Sequence, residues 1–213
     1  MTAANLTGTW DASSTLKFSG NLYVRSFERR TVDGNVAEFE GCSDPANVNF
    51  LCLESGNFPP GTPEAQLIIR DPQGNPVPIA ALGGGLSGSI DRTHTRSLAW
   101  GGALQATHED KLGAFNNRLV MGLNLDFSRV DFSANSELGV IGPDLTVSGL
   151  GITYHTLVNG GVSEVGLGVR NTYAGVYALD TLDVTDRWSM TAGGRVNYAR
   201  VALTDKQIGR AHV

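Results

Sequence analysis

Leu16-Lys17-Phe18-Ser19-Gly20-Asn21-Leu22-Tyr23-Val24-Arg25 alternates one residue at a time between apolar and polar. Leu16, Phe18, Gly20, Leu22 and Val24 fall on one side, and Lys17, Ser19, Asn21, Tyr23 and Arg25 on the other. Successive side chains of a β-strand point to opposite faces, so the stretch has one apolar face and one polar, partly charged face. The pattern recurs. Leu119, Met121, Leu123, Leu125 and Phe127 alternate with Arg118, Val120, Gly122, Asn124, Asp126 and Ser128. Trp188, Met190, Ala192, Val196 and Tyr198 alternate with Ser189, Thr191, Arg195 and Asn197. Strands this long, with second faces this polar, do not suit a sandwich core. They suit a barrel whose outside meets lipid and whose inside meets water.

Composition agrees. The net charge of −5 over 213 residues argues against a nucleic-acid partner, which calls for a basic excess. No run of about 18 apolar residues exists, so a helical membrane span is excluded. A mean hydropathy of −0.09 is compatible with a membrane barrel, because lumen-facing polar residues dilute it. Gly is abundant at 27 residues, and helix-period runs with caps are scarce, which gives an all-β reading. Met1 to Leu6 has neither the basic nor the apolar region of a signal peptide. A secreted barrel lacking one is expected to be a fragment. Ile208-Gly209-Arg210-Ala211-His212-Val213 resembles an in-frame translation of a sequencing-adapter oligonucleotide. The expected division is therefore barrel over 1–207 and appended residues over 208–213.

Six strand-like segments stand out, about 6–11, 15–32, 92–108, 115–132, 171–184 and 187–204. The connections between them run short, long, short, long, short. Tight turns are expected at Asp11–Ser14, at Glu109–Gly113 and at Thr185-Asp186, with long connections at Val32–Asp91 and Phe132–Arg170. In an up-and-down barrel every second connection falls on the same rim, and membrane barrels put short turns on one rim and long loops on the other. The first long connection holds Pro45, Pro59, Pro60, Pro63, Pro72, Pro76 and Pro78 and the run Gly83-Gly84-Gly85, so it is not central sheet. Gln66-Leu67-Ile68-Ile69-Arg70 is expected to form a small hairpin within it. Trp10, Trp188 and Tyr198 are placed near strand ends, where interfacial aromatic belts lie, and Trp100 nearer mid-strand.

Cys42 and Cys52, the only cysteines, flank a polar Asn/Pro-rich turn in that loop and read as a disulfide worth about 2–3 kcal/mol in the chain-entropy model. His94, His108, His155 and His212 show no metal-ligand spacing, and no nucleophile elbow, phosphate loop or His-Glu-x-x-His occurs. The carboxylates Asp126, Asp131, Asp180 and Asp183 read as solvated groups. No cofactor and no catalytic machinery is expected. The lumen-facing candidates are Lys17, Asn21, Tyr23, Arg25, Asn124, Asp126, Asp180, Arg195 and Asn197. Charges are cheap on that face, whereas a Lys or Arg on the lipid face at mid-bilayer costs about 2–4 kcal/mol.

Thr172-Tyr173-Ala174-Gly175-Val176-Tyr177-Ala178-Leu179-Asp180-Thr181, a tight turn, and Trp188-Ser189-Met190-Thr191-Ala192-Gly193-Gly194-Arg195-Val196-Asn197 resemble the paired barrel strands of TonB-dependent outer-membrane receptors. Val196 stands where that pattern usually has an aromatic. Phe18 to Arg25, Cys42 to Asn47 and Ser136 to Asp144 are similar to one subgroup, so the resemblance spans nearly the whole chain. It implies a 22-stranded barrel with an N-terminal plug, energised by the TonB complex. Neither plug, TonB box nor closing strand is visible, so the expected fold is an open antiparallel meander of about six strands from the barrel wall. The implied function is TonB-dependent uptake of a scarce nutrient, foremost a ferric siderophore, across the outer membrane of a Gram-negative bacterium. The implied partners are outer-membrane lipid, TonB and the small-molecule ligand. The alternatives are a passive porin and a surface-binding barrel.

Overall fold

Alternating sequence becomes long strand. In a computed structural model that describes residues 1–54, 61–154 and 165–206, the strands are β1 (Thr2–Asp11), β2 (Leu16–Val36), β3 (Phe39–Gly41), β4 (Leu51–Leu53), β5 (Leu86–Leu112), β6 (Phe115–Ile141), β7 (Val147–Thr153), β8 (Val165–Thr185) and β9 (Trp188–Asp205). The main sheet is antiparallel and runs β1-β2-β5-β6-β8-β9, with β7 added to β6 and β3-β4 forming a separate ribbon. Strands consecutive along the path therefore lie side by side, as in an up-and-down wall. Among the described residues β1 and β9 are its edges. No described helix is long and apolar enough to cross a membrane.

The short turns have local causes. Ser13 Oγ accepts the backbone N–H of Thr15 and Leu16 at 3.2 and 3.0 Å, closing the β1–β2 turn. Thr185 Oγ1 does the same for Arg187 and Trp188, at 3.2 and 3.0 Å. Between β5 and β6, Gly113 adopts φ 67°, a left-handed conformation that glycine enters without a Cβ clash. This turn comes later than Glu109–Gly113, because β5 continues to Leu112.

The strands also outrun the sequence reading on their other ends. β6 reaches Ile141 and β8 begins at Val165, so much of the connection expected over 132–170 is sheet. The reason is that alternation persists past Phe132: Ala134, Ser136 and Leu138 are buried while Ser133 is exposed and Asn135 and Glu137 are half-buried. The expected hairpin at 66–70 is replaced in part by a single helical turn, Glu64–Leu67. Ile68 and Arg70 do form bridges, to Cys52 and Pro76. Tyr198, expected near a strand end, lies inside β9. His155, His212 and the expected appended tail, 208–213, lie outside the described residues.

The chain divides into two compact units. The first comprises Met1–Glu28, Arg96–Asp131 and Gly168–Thr204. The second comprises Arg29–Thr95, Phe132–Leu167 and Asp205–Val213.

In the first unit one face is apolar. The β1–β2 register sets Leu6 opposite Leu22 and Trp10 opposite Phe18, whose rings stack at 5.6 Å. Trp100 stacks on Phe127 at 4.4 Å. Leu22, Met121, Leu123, Leu125, Trp188 and Met190 are all strongly exposed, the reverse of what a water-soluble core does with such residues.

In the second unit the apolar residues are gathered inward. Leu51, Ile69 and Leu138 are fully buried and pack with Leu67, Val77 and Tyr154 around the cysteines. Residues 37–85, read as loop from their prolines, therefore contribute to a small core that Leu138 of β6 and Tyr154 complete.

Candidate functional site

Two groups of residues concentrate chemistry. The first lies on the polar face of the first unit. Tyr23 on β2 donates its hydroxyl to Asp126 Oδ1 on β6 at 2.6 Å. Asn124 Nδ2 donates to Asp126 Oδ2 at 3.2 Å, and its Oδ1 accepts Arg195 Nη2 at 3.1 Å. Arg195 Nε donates to Asn197 Oδ1 at 2.7 Å, and the Tyr173 hydroxyl donates to the same oxygen at 2.6 Å while accepting Arg195 Nη2 at 3.0 Å. Tyr177 donates its hydroxyl to Gln105 Oε1 at 2.7 Å.

The geometry thus joins five of the sequence-derived candidates, Tyr23, Asn124, Asp126, Arg195 and Asn197. Lys17 is apart from them, 3.8 Å from Asp11 in an exposed ion pair of little energetic weight. Asn21 and Arg25 share the alternation of Tyr23 on β2 and stand on its face.

Asp180 is a correction. Its Oδ1 accepts Asn117 Nδ2 at 2.7 Å, and Asn117 alternates with Arg118 on the Leu119–Phe127 side of β6. Thr181, its neighbour, meets Thr191 on the opposite side at 3.1 Å. On β8 it is Tyr173, Gly175 and Tyr177 that face the polar cluster, which turns Asp180 to the apolar face. Tyr173, Tyr177 and Gln105 were missed as members. A tyrosine reads as apolar or polar with equal ease, and only the quoted family pattern marked the two on β8.

The second group is the loop core. Cys42 and Cys52 form a disulfide with Cα atoms 5.1 Å apart. Beside it the Glu64 carboxylate is held in a cradle: Ser43 N–H donates at 2.8 Å, Asp44 N–H at 3.0 Å, and the Ser43 hydroxyl also donates. Glu64 lies with both sulfurs in one cluster, yet the sulfurs are bonded to each other and offer no thiolate to a metal.

The Ser43 hydroxyl, then the Asp44 and Ser43 N–H groups, hold the Glu64 carboxyl below its usual 4.5. A depressed pKa means that the cradle stabilises the loop fully above the unfolded value and loses that effect as pH falls through the lower, folded one. Glu64→Gln is expected to remove this acid-sensitive step from loop stability. Hydrogen exchange of the Ser43 and Asp44 amides against pH checks it, and an unchanged profile in the variant would refute the cradle.

Asp131 is held by Arg129 Nε at 2.9 Å, and Asp126 is engaged by Tyr23 and Asn124. The arrangement is that of a wall with a polar side and a shaped loop.

Comparison with curated proteins finds no match. The family described as TonB dependent receptor-like, beta-barrel matches residues 2–211, nearly the whole chain, in accord with the all-β antiparallel sheet. The chain belongs to the TonB-dependent receptor β-barrel family, a family of outer-membrane receptors and transporters.

Proposed function

We propose that this chain forms part of the barrel wall of a receptor that takes up a scarce nutrient actively, with a ferric siderophore as cargo and TonB as the energising partner. The observation that carries the reading is the segregation of faces in the first unit. Exposed Leu22, Leu98, Trp100, Met121, Leu123 and Leu125 stand on one side, and the Tyr23–Asp126–Asn124–Arg195 cluster on the other. One face suits hydrocarbon and the other suits water, which is what a wall between lipid and an aqueous lumen requires. The ion pairs Arg96–Glu28 and Arg129–Asp131 support it, because they end the apolar run with charges on the same side.

The loop over 37–85 is the proposed cargo-capturing element. Alternate connections of an up-and-down wall share a rim, and the order of short turns and long connections along this chain supports reading the loop as an outer one. A disulfide-tied core gives it a fixed shape, and fixed loops on a rigid scaffold are where binding residues concentrate. Iron as the cargo is part of the proposal and has its support in family resemblance.

The test is uptake of labelled ferric siderophores by cells expressing the full-length receptor, with and without a functional TonB. TonB-dependent accumulation is expected. Uptake that continues without TonB would replace the active receptor with a passive channel. Binding without any uptake would favour a surface-binding barrel.

A further inference from the structure

We infer that the polar side chains of the first unit form a transverse brace that fixes strand register, and that glycines beneath it are the openings over which its side chains pass. From Tyr23 the hydrogen bonds run through Asp126 and Asn124 to Arg195 and Asn197 without a break, from β2 to β9. Two intervening strands, β5 and β8, are crossed on the way, and Tyr173 of β8 adds its hydroxyl to the Arg195–Asn197 end. At each crossing stands a glycine.

A Cβ on Gly101 of β5 would fall 2.8 Å from Asp126 Oδ1 and 3.0 Å from Tyr23 Cε1. A Cβ on Gly175 of β8 would fall 2.7 Å from both Asn124 Oδ1 and Asn197 Oδ1. Separations under 3.0 Å are ones that a real Cβ essentially never shows. Tyr177 repeats the device over β6, reaching Gln105 on β5 with its ring lying where a side chain on Gly122 would be. Glycine is otherwise a poor strand residue, since it orders at high entropic cost and packs nothing. Its use under each bridging side chain has this steric reason.

The brace acts on register because every member depends on facing. A slip of one residue in β6 would turn Asp126 and Asn124 to the opposite face together and break every link through that strand.

The experiment uses full-length receptor assembled in the outer membrane and reads the folded fraction by urea titration and protease resistance. No ligand is involved, so the result stands apart from the uptake reading. Gly122→Ala is expected to lower the folded-to-unfolded ratio by roughly tenfold, the usual scale for overpacking a fitted site. Adding Tyr177→Ala is expected to restore it, since the three atoms nearest a Cβ on Gly122 all belong to the Tyr177 side chain. Gly101→Ala is expected to stay impaired when Tyr23→Ala is added, because its Cβ also meets the Leu125 carbonyl. If Gly122→Ala does not assemble, recovery of assembled protein in the double variant reads the same coupling. Gly122→Ala behaving like the parent, or no recovery with Tyr177→Ala, would overturn the brace.

Discussion

Receptor carrying Ile69→Asp is expected to reach the outer membrane at the parental level and to lose cargo capture. Ile69 is fully buried, and its backbone is pinned between Leu51 and Val77 by two hydrogen bonds of 2.8 Å. A carboxylate at that point has no cationic partner among the described core residues, and an uncompensated buried charge costs about 3–5 kcal/mol. The loop core is small, gathered from Leu51, Leu67, Val77 and a few neighbours, so a penalty on that scale is enough to unfold it. The described core residues, Leu138 of β6 among them, all fall in the segments of the second unit, so the strand segments of the first are expected to assemble as before. Ile69→Val, which costs about 0.5–1.5 kcal/mol, is the matched control and should retain capture. Limited proteolysis of intact cells, together with binding of labelled ferric siderophore, reads both halves of the outcome. Parental binding by an Ile69→Asp receptor with a cleaved, open loop would remove the loop from recognition.

The second large effect separates the two faces of β2 and β6. Leu123→Arg puts a cation on the apolar side, where the cost at mid-membrane is about 2–4 kcal/mol. Ser19→Arg puts the same cation beside Lys17, Gln105, Thr107 and Arg118, which line an open polar space, and is expected to cost less than about 1 kcal/mol. Equilibrium unfolding of receptor reconstituted in bilayers measures both. Equal costs, or the reverse order, would refute the assignment of the apolar face to lipid.

How far the fold was legible follows from where the two-residue period is unambiguous. β2, β6 and β9 announce themselves because Leu22, Leu123 and Met190 are flanked by polar residues, such as Asn21, Asn124 and Thr191. β8 does not. In Tyr173-Ala174-Gly175-Val176-Tyr177-Ala178-Leu179-Asp180 the polar face is carried by tyrosine hydroxyls and a glycine, and a leucine shares it. Reading by charge then sends Asp180 to the wrong side. The loop core was hidden for a different reason. Leu51, Ile69 and Val77 come from short runs without a shared period, and only long-range pairing brings them together. The brace was hidden because nothing local distinguishes Gly122, which lies under a ring, from Gly194, which lies under nothing.

The Asn117–Asp180 contact has a consequence for membrane thickness. Asn117 and Arg129 share the apolar side of β6 and bracket Leu119 to Phe127, with a polar pair at each end. At about 3.3 Å per residue and a tilt of about 40°, the strand climbs about 30 Å along the bilayer normal from Asn117 to Arg129. An apolar band of about 25 Å fits between the two pairs with a little to spare at either end. Hydrophobic matching is thereby written into one strand. A bilayer appreciably thicker than this would draw Asp180 or Asp131 into hydrocarbon, and tilting or local thinning would be the response. The two carboxylates act as depth markers that hold the wall at one level in the membrane.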